Sequence, residues 1–251
     1  MAIFAVSYDS VDVLAQFASG HGIAYPLLSD DGSTTIRALG LYNEHLVAQQ
    51  AFYGRPAQAH HFGIPYPGLF VLDDRGMVES KVFEQSYRVR PTASTLDEIV
   101  LQTLPSEAVS AEVESSDVKV RAWLAMDTYR PYQKLHLHVD LDVAPGMHIY
   151  APPSSDGLVP LSVVVEPFEG LEVGELDLPA PKPLAVEGLD DQYLVYEGAV
   201  GATLPFDIIP VLPEVLLTVE VGYQVCSDYA CFPPSKVRVE LPLHGAELIR
   251  E

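Results

Sequence analysis

The stretch Val221-Gly222-Tyr223-Gln224-Val225-Cys226-Ser227-Asp228-Tyr229-Ala230-Cys231-Phe232-Pro233-Pro234 holds both cysteines of the 251-residue chain, with four residues between them. The run that leads into it alternates. Leu217, Val219, Val221, Tyr223 and Val225 share one parity, and Thr218, Glu220, Gly222 and Gln224 share the other. Successive strand residues point to opposite faces, so this pattern predicts a half-buried β-strand. After the cysteines, Val237, Val239, Leu241 and Leu243 repeat the alternation. Two such runs joined by a short polar segment predict a hairpin with the cysteines at its mouth. Cys226 falls on the polar parity, which predicts a sulfur that faces away from the core and can be reached from outside.

Opposed strand residues bring their Cβ atoms to within ~4.5–5.5 Å, close to the ~3.5–4.5 Å of a disulfide. A structural staple is one reading of such a pair. A loop of six residues is a small one to close, giving about 2 kcal/mol on the chain-entropy model against roughly 4.7 for a 100-residue loop. An off-core pair at a hairpin mouth is also open to a partner thiolate, as disulfide exchange requires. Redox activity is therefore the leading reading, with the staple and free thiols or a metal site behind it. Two thiols with no histidine near them in sequence make a poor zinc site.

Composition narrows the remaining classes. Hydrophobic residues make up 48% and charged residues 20%, which describes a folded globular chain and not a disordered one. The net charge of −21, with 14 basic residues against 35 acidic ones, argues against nucleic-acid binding, which needs clustered Lys and Arg. No apolar run approaches the ~18 residues of a membrane span. Residues 1–8 lack the basic flank and length of a signal peptide. No phosphate loop, dinucleotide fingerprint or metalloprotease helix occurs, and no cofactor is expected. His136 and His138 share a strand face with Asp140 and Asp142. By alternation that face is solvent, so exposed mixed charge is expected there and no metal. His60 and His61 are adjacent, and on a strand would point oppositely.

Residues 2–8 read as a strand buried on both faces. Ser10 then caps a helix with the stripe Val11, Leu14, Ala15 and Ala18, widened by Val13 and Phe17 and ended by Gly20 and Gly22. A short strand over 24–28 and a small helix opened by Ser33 follow, and 42–63 reads as a loop. A hairpin spans 69–83 over Asp73-Asp74-Arg75-Gly76, and 95–104 reads as a closing helix. Val6-Ser7-Tyr8-Asp9-Ser10, Tyr25-Pro26-Leu27-Leu28-Ser29-Asp30 and Pro67-Gly68-Leu69-Phe70-Val71-Leu72-Asp73 together resemble the later two thirds of a peroxiredoxin-like thioredoxin fold of the AhpC/TSA redoxin type. The resemblance implies that Pro67 is the cis-proline of that fold. The family's catalytic cysteine belongs to an earlier strand–helix unit, and residues 1–110 contain no cysteine. Residues 1–104 are therefore expected to be an N-terminally incomplete thioredoxin-like domain, with the chain a fragment of a longer protein.

Residues 105–117 are polar and acidic and read as a linker. From Val118 the period changes to two, with strands expected at 118–124, 134–143, 147–150, 161–166, 195–200, 204–209, 216–225 and 236–243. Short strands separated by Pro and Gly predict a β-sandwich over 118–251. In order, Ala144-Pro145-Gly146-Met147-His148-Ile149-Tyr150-Ala151-Pro152, Val195-Tyr196-Glu197-Gly198 and Tyr223-Gln224-Val225-Cys226 through Cys231-Phe232-Pro233-Pro234 resemble the N-terminal periplasmic domain of the DsbD thiol:disulfide interchange family, over about 117–245. The expected fold is thus a partial α/β thioredoxin-like unit followed by an all-β immunoglobulin-like sandwich.

The resemblance implies a thiol:disulfide oxidoreductase-like relay in an extracytoplasmic compartment. Cys231 would form the mixed disulfide and Cys226 would resolve it. The partner would be a thioredoxin-fold protein or domain, with a membrane redox partner also implied. Family members cover the pair with an aromatic cap loop. Gly188 to Tyr193 falls about there, which makes Tyr193 a cap candidate, with Tyr223, Tyr229 and Phe232 as further cap or partner contacts. Asp228 between the cysteines would disfavour a thiolate if close. Two other functions stay open: a non-enzymatic interaction sandwich with a structural disulfide, and a piece of a peroxiredoxin-like antioxidant protein.

Overall fold

The computed structural model describes residues 2–52, 54, 56–83, 89–101, 103–153, 157–185, 192–227 and 229–247. The chain divides into two compact units, Met1–Arg90 and Pro91–Glu251.

In the first unit, β1 (Ala5–Ser7) pairs in parallel with β2 (Leu27–Ser29) across helix α1 (Val11–His21). Ser10 caps α1 by accepting the Val13 amide, and Gly22 closes it with a left-handed φ of 64°. The apolar stripe is less buried than its periodicity suggests. Leu14 is the buried residue of α1, while Val11, Val13 and Phe17 are exposed, and Val6 of β1 is exposed as well. Helix α2 (Thr34–Ala38) does follow Ser33, but Ser33 makes no capping bond. The Asp30 carboxylate takes that place, accepting the amides of Thr35 at 3.0 Å and Ile36 at 2.8 Å. Those amides hold the Asp30 pKa below its ordinary value. The segment expected as a loop contains helix α3 (Leu46–Phe52) and a short 3-10 turn at Ala59–His61. β3 (Gly68–Leu72) and β4 (Val78–Phe83) form the expected hairpin, and Gly76 supplies the positive φ of its turn.

Pro67 does not carry the cis bond that its position implied. Among the described residues the cis peptide is Pro152–Pro153. The segment leading into β3 is held by the Tyr66 amide, which donates to Leu41 O, and by a bridge between Pro65 and Tyr42.

Between the units lies the two-residue strand β5 (Arg90–Pro91). Helix α4 (Ala93–Leu101), expected to close the first unit, falls with the second one. Thr92 Oγ1 accepts the Thr95 amide, and Thr95 Oγ1 donates to Lys134 O, tying the helix to the strand beneath it. The expected linker contains a strand, β6 (Val109–Glu114), paired along its whole length with β7 (Val118–Leu124).

The remaining strands are β8 (Thr128–Tyr129), β9 (Gln133–Val143), β10 (Met147–Tyr150), β11 (Ser162–Val165), β12 (Leu171–Val173), β13 (Lys182–Ala185), β14 (Gln192–Tyr196), β15 (Ala199–Ile208), β16 (Val215–Tyr223), β17 (Val225–Ser227) and β18 (Ser235–Gly245). One sheet runs β12–β15–β9–β7–β6 and the facing one β11–β16–β18–β8. Inward residues of both, among them Val120, Leu137, Phe206, Leu217 and Leu241, form one continuous core. This is an immunoglobulin-like sandwich. Burying each such side chain stabilises it by roughly 1.5–3 kcal/mol.

A third sheet, β13–β14–β10–β17, is the one that carries Cys226. One face of it, with Ile149, Tyr196 and Val225, packs on the main core. Its other face gathers Tyr150, Val195 and Cys226 into a separate cluster, against which Leu158, Leu184 and Tyr193 pack.

The outer face of β9 is also not the open surface that alternation predicts. His138 is 3% exposed and its ring stacks on Trp123, with centroids 4.0 Å apart and planes 19° apart. Glu98 of α4 reaches down to this face, so a helix distant in sequence covers it.

Candidate functional site

β16 and β18 pair from Val215↔Leu243 to Tyr223↔Ser235, which is the expected hairpin. The cysteines lie beyond its last pair. After Tyr223 the chain leaves β16, and Val225–Ser227 pair instead with β10 in the register Met147↔Ser227, His148↔Cys226 and Ile149↔Val225. Gln224 stands at the switch. Its Oε1 accepts the Val159 amide and its Nε2 donates to Phe232 O, each at 3.1 Å. It thereby joins the strand before Cys226 to the residue after Cys231.

Cys226 and Cys231 are bonded to each other, with Cα atoms 4.0 Å apart. The turn between them is held by Ser227, whose amide donates to Ala230 O at 2.8 Å and whose hydroxyl accepts the amides of Tyr229 and Ala230. The Phe232 amide donates to Val225 O at 2.9 Å, closing the turn from below. Asp228 lies outside the described residues.

The two halves of the cystine differ sharply in access. Cys231 is exposed, whereas Cys226 is 1% exposed. This corrects the reading of Cys226 as the reachable sulfur. Its parity does take it off the main core. That side of the third sheet is covered by the Tyr150 and Val195 cluster instead of solvent.

Tyr150, which sequence reasoning passed over as a functional residue, completes the site. Its hydroxyl lies 3.6 Å from Cys231 Sγ. A disulfide sulfur has no proton, so here the phenol is the donor. Burial, and then neighbouring Tyr193, push the Tyr150 pKa above its ordinary value, so the hydroxyl keeps its proton. The only signal for Tyr150 was its place in the Met147–Tyr150 strand that carries part of the family resemblance.

The candidate aromatics separate into three groups. Tyr193 sits on β14 with its ring 6.1 Å from that of Tyr150, inside the cluster that shields Cys226. Gly188 to Asp191, the rest of the candidate cap segment, lie outside the described residues. Tyr229 is 97% exposed between the cysteines, and Phe232 is 43% exposed immediately after Cys231. Tyr223 points the other way. It is buried in the sandwich core and offers no surface to a partner, because it keeps the inward parity of β16. Pro67 belongs to the first unit and is not among these residues.

An immunoglobulin-like sandwich bearing a cystine with one buried and one exposed half has a form suited to thiol–disulfide exchange. The chain belongs to the family described as thiol:disulfide interchange protein DsbD, N-terminal, whose pattern matches residues 118–243, half of its length. Residues 1–81 match the AhpC/TSA family, so the first unit is a thioredoxin-like region of redoxin type. No curated protein matches the chain in sequence.

Among solved structures it is similar to the N-terminal periplasmic domain of ScsB from Proteus mirabilis, at 16% identity and a TM-score of 0.41 over 54% of this chain and 51% of that one. The chain thus spans about half the length of that structure. It is also similar to the reduced N-terminal domain of Neisseria meningitidis DsbD, at 13% identity and a TM-score of 0.33 over 54% of this chain and 88% of that one. The GAE domain of GGA2p from Saccharomyces cerevisiae gives 10% identity and a TM-score of 0.33 over 52% of this chain and 96% of that one. Among the described residues no helix is long and apolar enough to cross a membrane.

Proposed function

We propose that the chain is an electron-relay module that exchanges its Cys226–Cys231 disulfide with a thioredoxin-fold partner, with Cys231 as the sulfur the partner attacks. The observation that carries this reading is the unequal access to the two sulfurs, with Cys231 exposed and Cys226 covered. A partner thiolate attacks Cys231 Sγ in line with the S–S bond. That bond breaks, a mixed disulfide forms at Cys231, and Cys226 leaves as a thiolate. The partner's second thiolate then attacks its own sulfur in the mixed disulfide and releases the Cys231 thiolate. The module has gained two electrons and the partner has become a disulfide.

In reverse, the Cys231 thiolate attacks a partner disulfide, and Cys226 resolves the intermediate by reforming the internal bond. Tyr150 stays within reach of Cys231 Sγ in either direction and donates a hydrogen bond to the thiolate. Tyr229 and Phe232 form the apolar rim against which a partner seats, and Tyr193 serves as the covering residue. Both cysteines lie at 226 and 231, so the partner's cysteine pair is not among residues 1–90. By kinship with periplasmic domains, we place the exchange in an extracytoplasmic compartment with a membrane-bound protein on one side of the relay.

Trapping tests the assignment. Cys226→Ser leaves an unresolved thiol at Cys231 and is expected to accumulate a mixed disulfide with a thioredoxin, whereas Cys231→Ser accumulates none. Equal trapping by both variants overturns the roles. A reduction potential below about −300 mV, the range of inert structural disulfides, overturns the relay itself. If the double serine variant still bound a partner with unchanged affinity and the wild type exchanged no electrons, the sandwich would be an interaction module with a stapled turn.

A further inference from the structure

On the outer face of β9, far from the cystine in sequence, Glu98, His136 and His138 each offer a donor atom, and all three atoms lie within 4.8 Å of one another. Glu98 Oε2 is 2.7 Å from His136 Nδ1, and Glu98 Oε1 is 3.4 Å from His138 Nε2. The fold builds this grouping from elements remote in sequence. His136 and His138 are two apart on one strand and so share a face. Thr95 Oγ1 bonded to Lys134 O holds α4 on that strand, with Glu98 one helical turn further on.

His138 is fixed from both sides. Trp123 of β7 and Thr203 of β15 are its register partners; the Trp123 ring stacks on it, and Thr203 Oγ1 lies 3.4 Å from its Nδ1. Its other nitrogen, Nε2, is buried and makes no hydrogen bond, although it points at Glu98. A buried polar atom without a hydrogen bond is unfavourable, and the Glu98 carboxylate 3.4 Å away compensates Nε2 by charge alone.

We propose that Glu98, His136 and His138 bind one divalent cation of the Zn2+ class, clamping helix α4 onto β9. Two imidazoles and a carboxylate are a ligand set that zinc takes, with a fourth position left for water. Ligands about 2.1 Å from a tetrahedral ion stand about 3.4 Å from each other, so the observed separations need only small side-chain movements. Thr203 at the far nitrogen of His138 is placed as an outer partner that orients a ligating imidazole. The cystine chemistry does not depend on this site.

The protein carries its own reporter, because Trp123 is its one tryptophan and stacks directly on His138. The experiment is a titration of the metal-stripped full chain with Zn2+ and, separately, Co2+. Tryptophan fluorescence, Co2+ absorption bands and metal content after dialysis are the readouts. One equivalent of Zn2+ per chain is expected, with a fluorescence change that saturates at that ratio and a raised thermal midpoint. Glu98→Gln and His136→Gln should each weaken binding at least tenfold. His60→Gln with His61→Gln, which removes the adjacent pair in the first unit, should leave it unchanged. The inference is overturned if no stoichiometric Zn2+ is retained, if Glu98→Gln binds as tightly as the wild type, or if the signal follows His60 and His61. Because Glu98→Gln could loosen α4, His136→Gln serves as the second variant, and the near-ultraviolet circular dichroism of both must match the wild type.

Discussion

Replacing Tyr150 with phenylalanine removes one oxygen atom from the site and leaves the packing of the Tyr150, Val195 and Cys226 cluster in place. In the disulfide form the loss is small, because a neutral cystine sulfur is a weak acceptor. In the reduced form the same hydroxyl, which lies 3.6 Å from Cys231 Sγ in the disulfide form, would face a thiolate. A hydrogen bond to a charged group contributes about 1.5–3 kcal/mol. The lower end suits a long contact to sulfur. About 1.4 kcal/mol corresponds to a tenfold change in the fraction of thiolate at neutral pH. A more basic thiolate is intrinsically more nucleophilic, with a Brønsted coefficient of about 0.4–0.5, which returns roughly threefold of that loss. The net expectation is an exchange rate lower by about three- to fourfold at pH 7, which reverses at alkaline pH, where both thiols are fully ionised and the variant's more basic thiolate reacts about threefold faster. The assay is the alkylation rate of Cys231 against pH in a Cys226→Ser background, with and without Tyr150→Phe, alongside thiolate absorbance at 240 nm. If the two pH profiles superimpose, the hydroxyl does not stabilise the thiolate. If the variant reacts faster at pH 7, Tyr150 acts as a shield and not as a donor.

Gln224→Ala leaves the half-buried Val159 amide and the Phe232 carbonyl without their partner, so denaturant unfolding should show a loss of about 1–2 kcal/mol. A loss under about 0.5 kcal/mol would mean that water replaces the side chain. Phe206, fully buried between the sheets, should cost about 3–5 kcal/mol when cut to alanine, read from Trp123 fluorescence in a denaturant titration. A cost below about 1 kcal/mol would contradict a close-packed sandwich core at that position. Asp30 tests the first unit. Its pKa is held below the ordinary 3.8 by the Thr35 and Ile36 amides, so its contribution is present above 3.8 and is lost as pH falls through the lower folded value. Asp30→Ala should therefore have a lower thermal midpoint than the wild type at neutral pH, and the two should converge in acid. A gap that persists in acid removes the carboxylate as the cause.

What could be read from the chain alone followed from periodicity. The alternation of Leu135 to Val143 and of Leu217 to Tyr223 places those residues in the core where the structure has them. Runs with mixed signals were missed. Val109–Glu114 is acidic and only half-alternating, yet it forms a fully paired edge strand, because an edge needs just one buried face and tolerates charge on the other. Periodicity also cannot say what covers a face. It sends His138 and Cys226 off the main core correctly, and then solvent is the default. In one case a helix 40 residues upstream takes that place, and in the other side chains on the same face of the third sheet do.

The same limit governs the cystine. Strand parity is a local property, whereas access to a sulfur depends on where the neighbouring strand ends. β16 stops at Tyr223 and Gln224 bridges Val159 to Phe232, and this hands Val225–Ser227 over to β10. That exchange of sheets turns two chemically identical cysteines into unequal ones. A symmetric, fully exposed pair would let a partner attack either sulfur, and half of the encounters would form an intermediate whose resolving thiol is also open to other disulfides. In the proposed relay, covering Cys226 would direct attack to Cys231 and keep the resolving thiolate where its nearest disulfide is the mixed one. In the proposed relay, the residues that make the two sulfurs unequal are thus Gln224, Tyr150 and Val195.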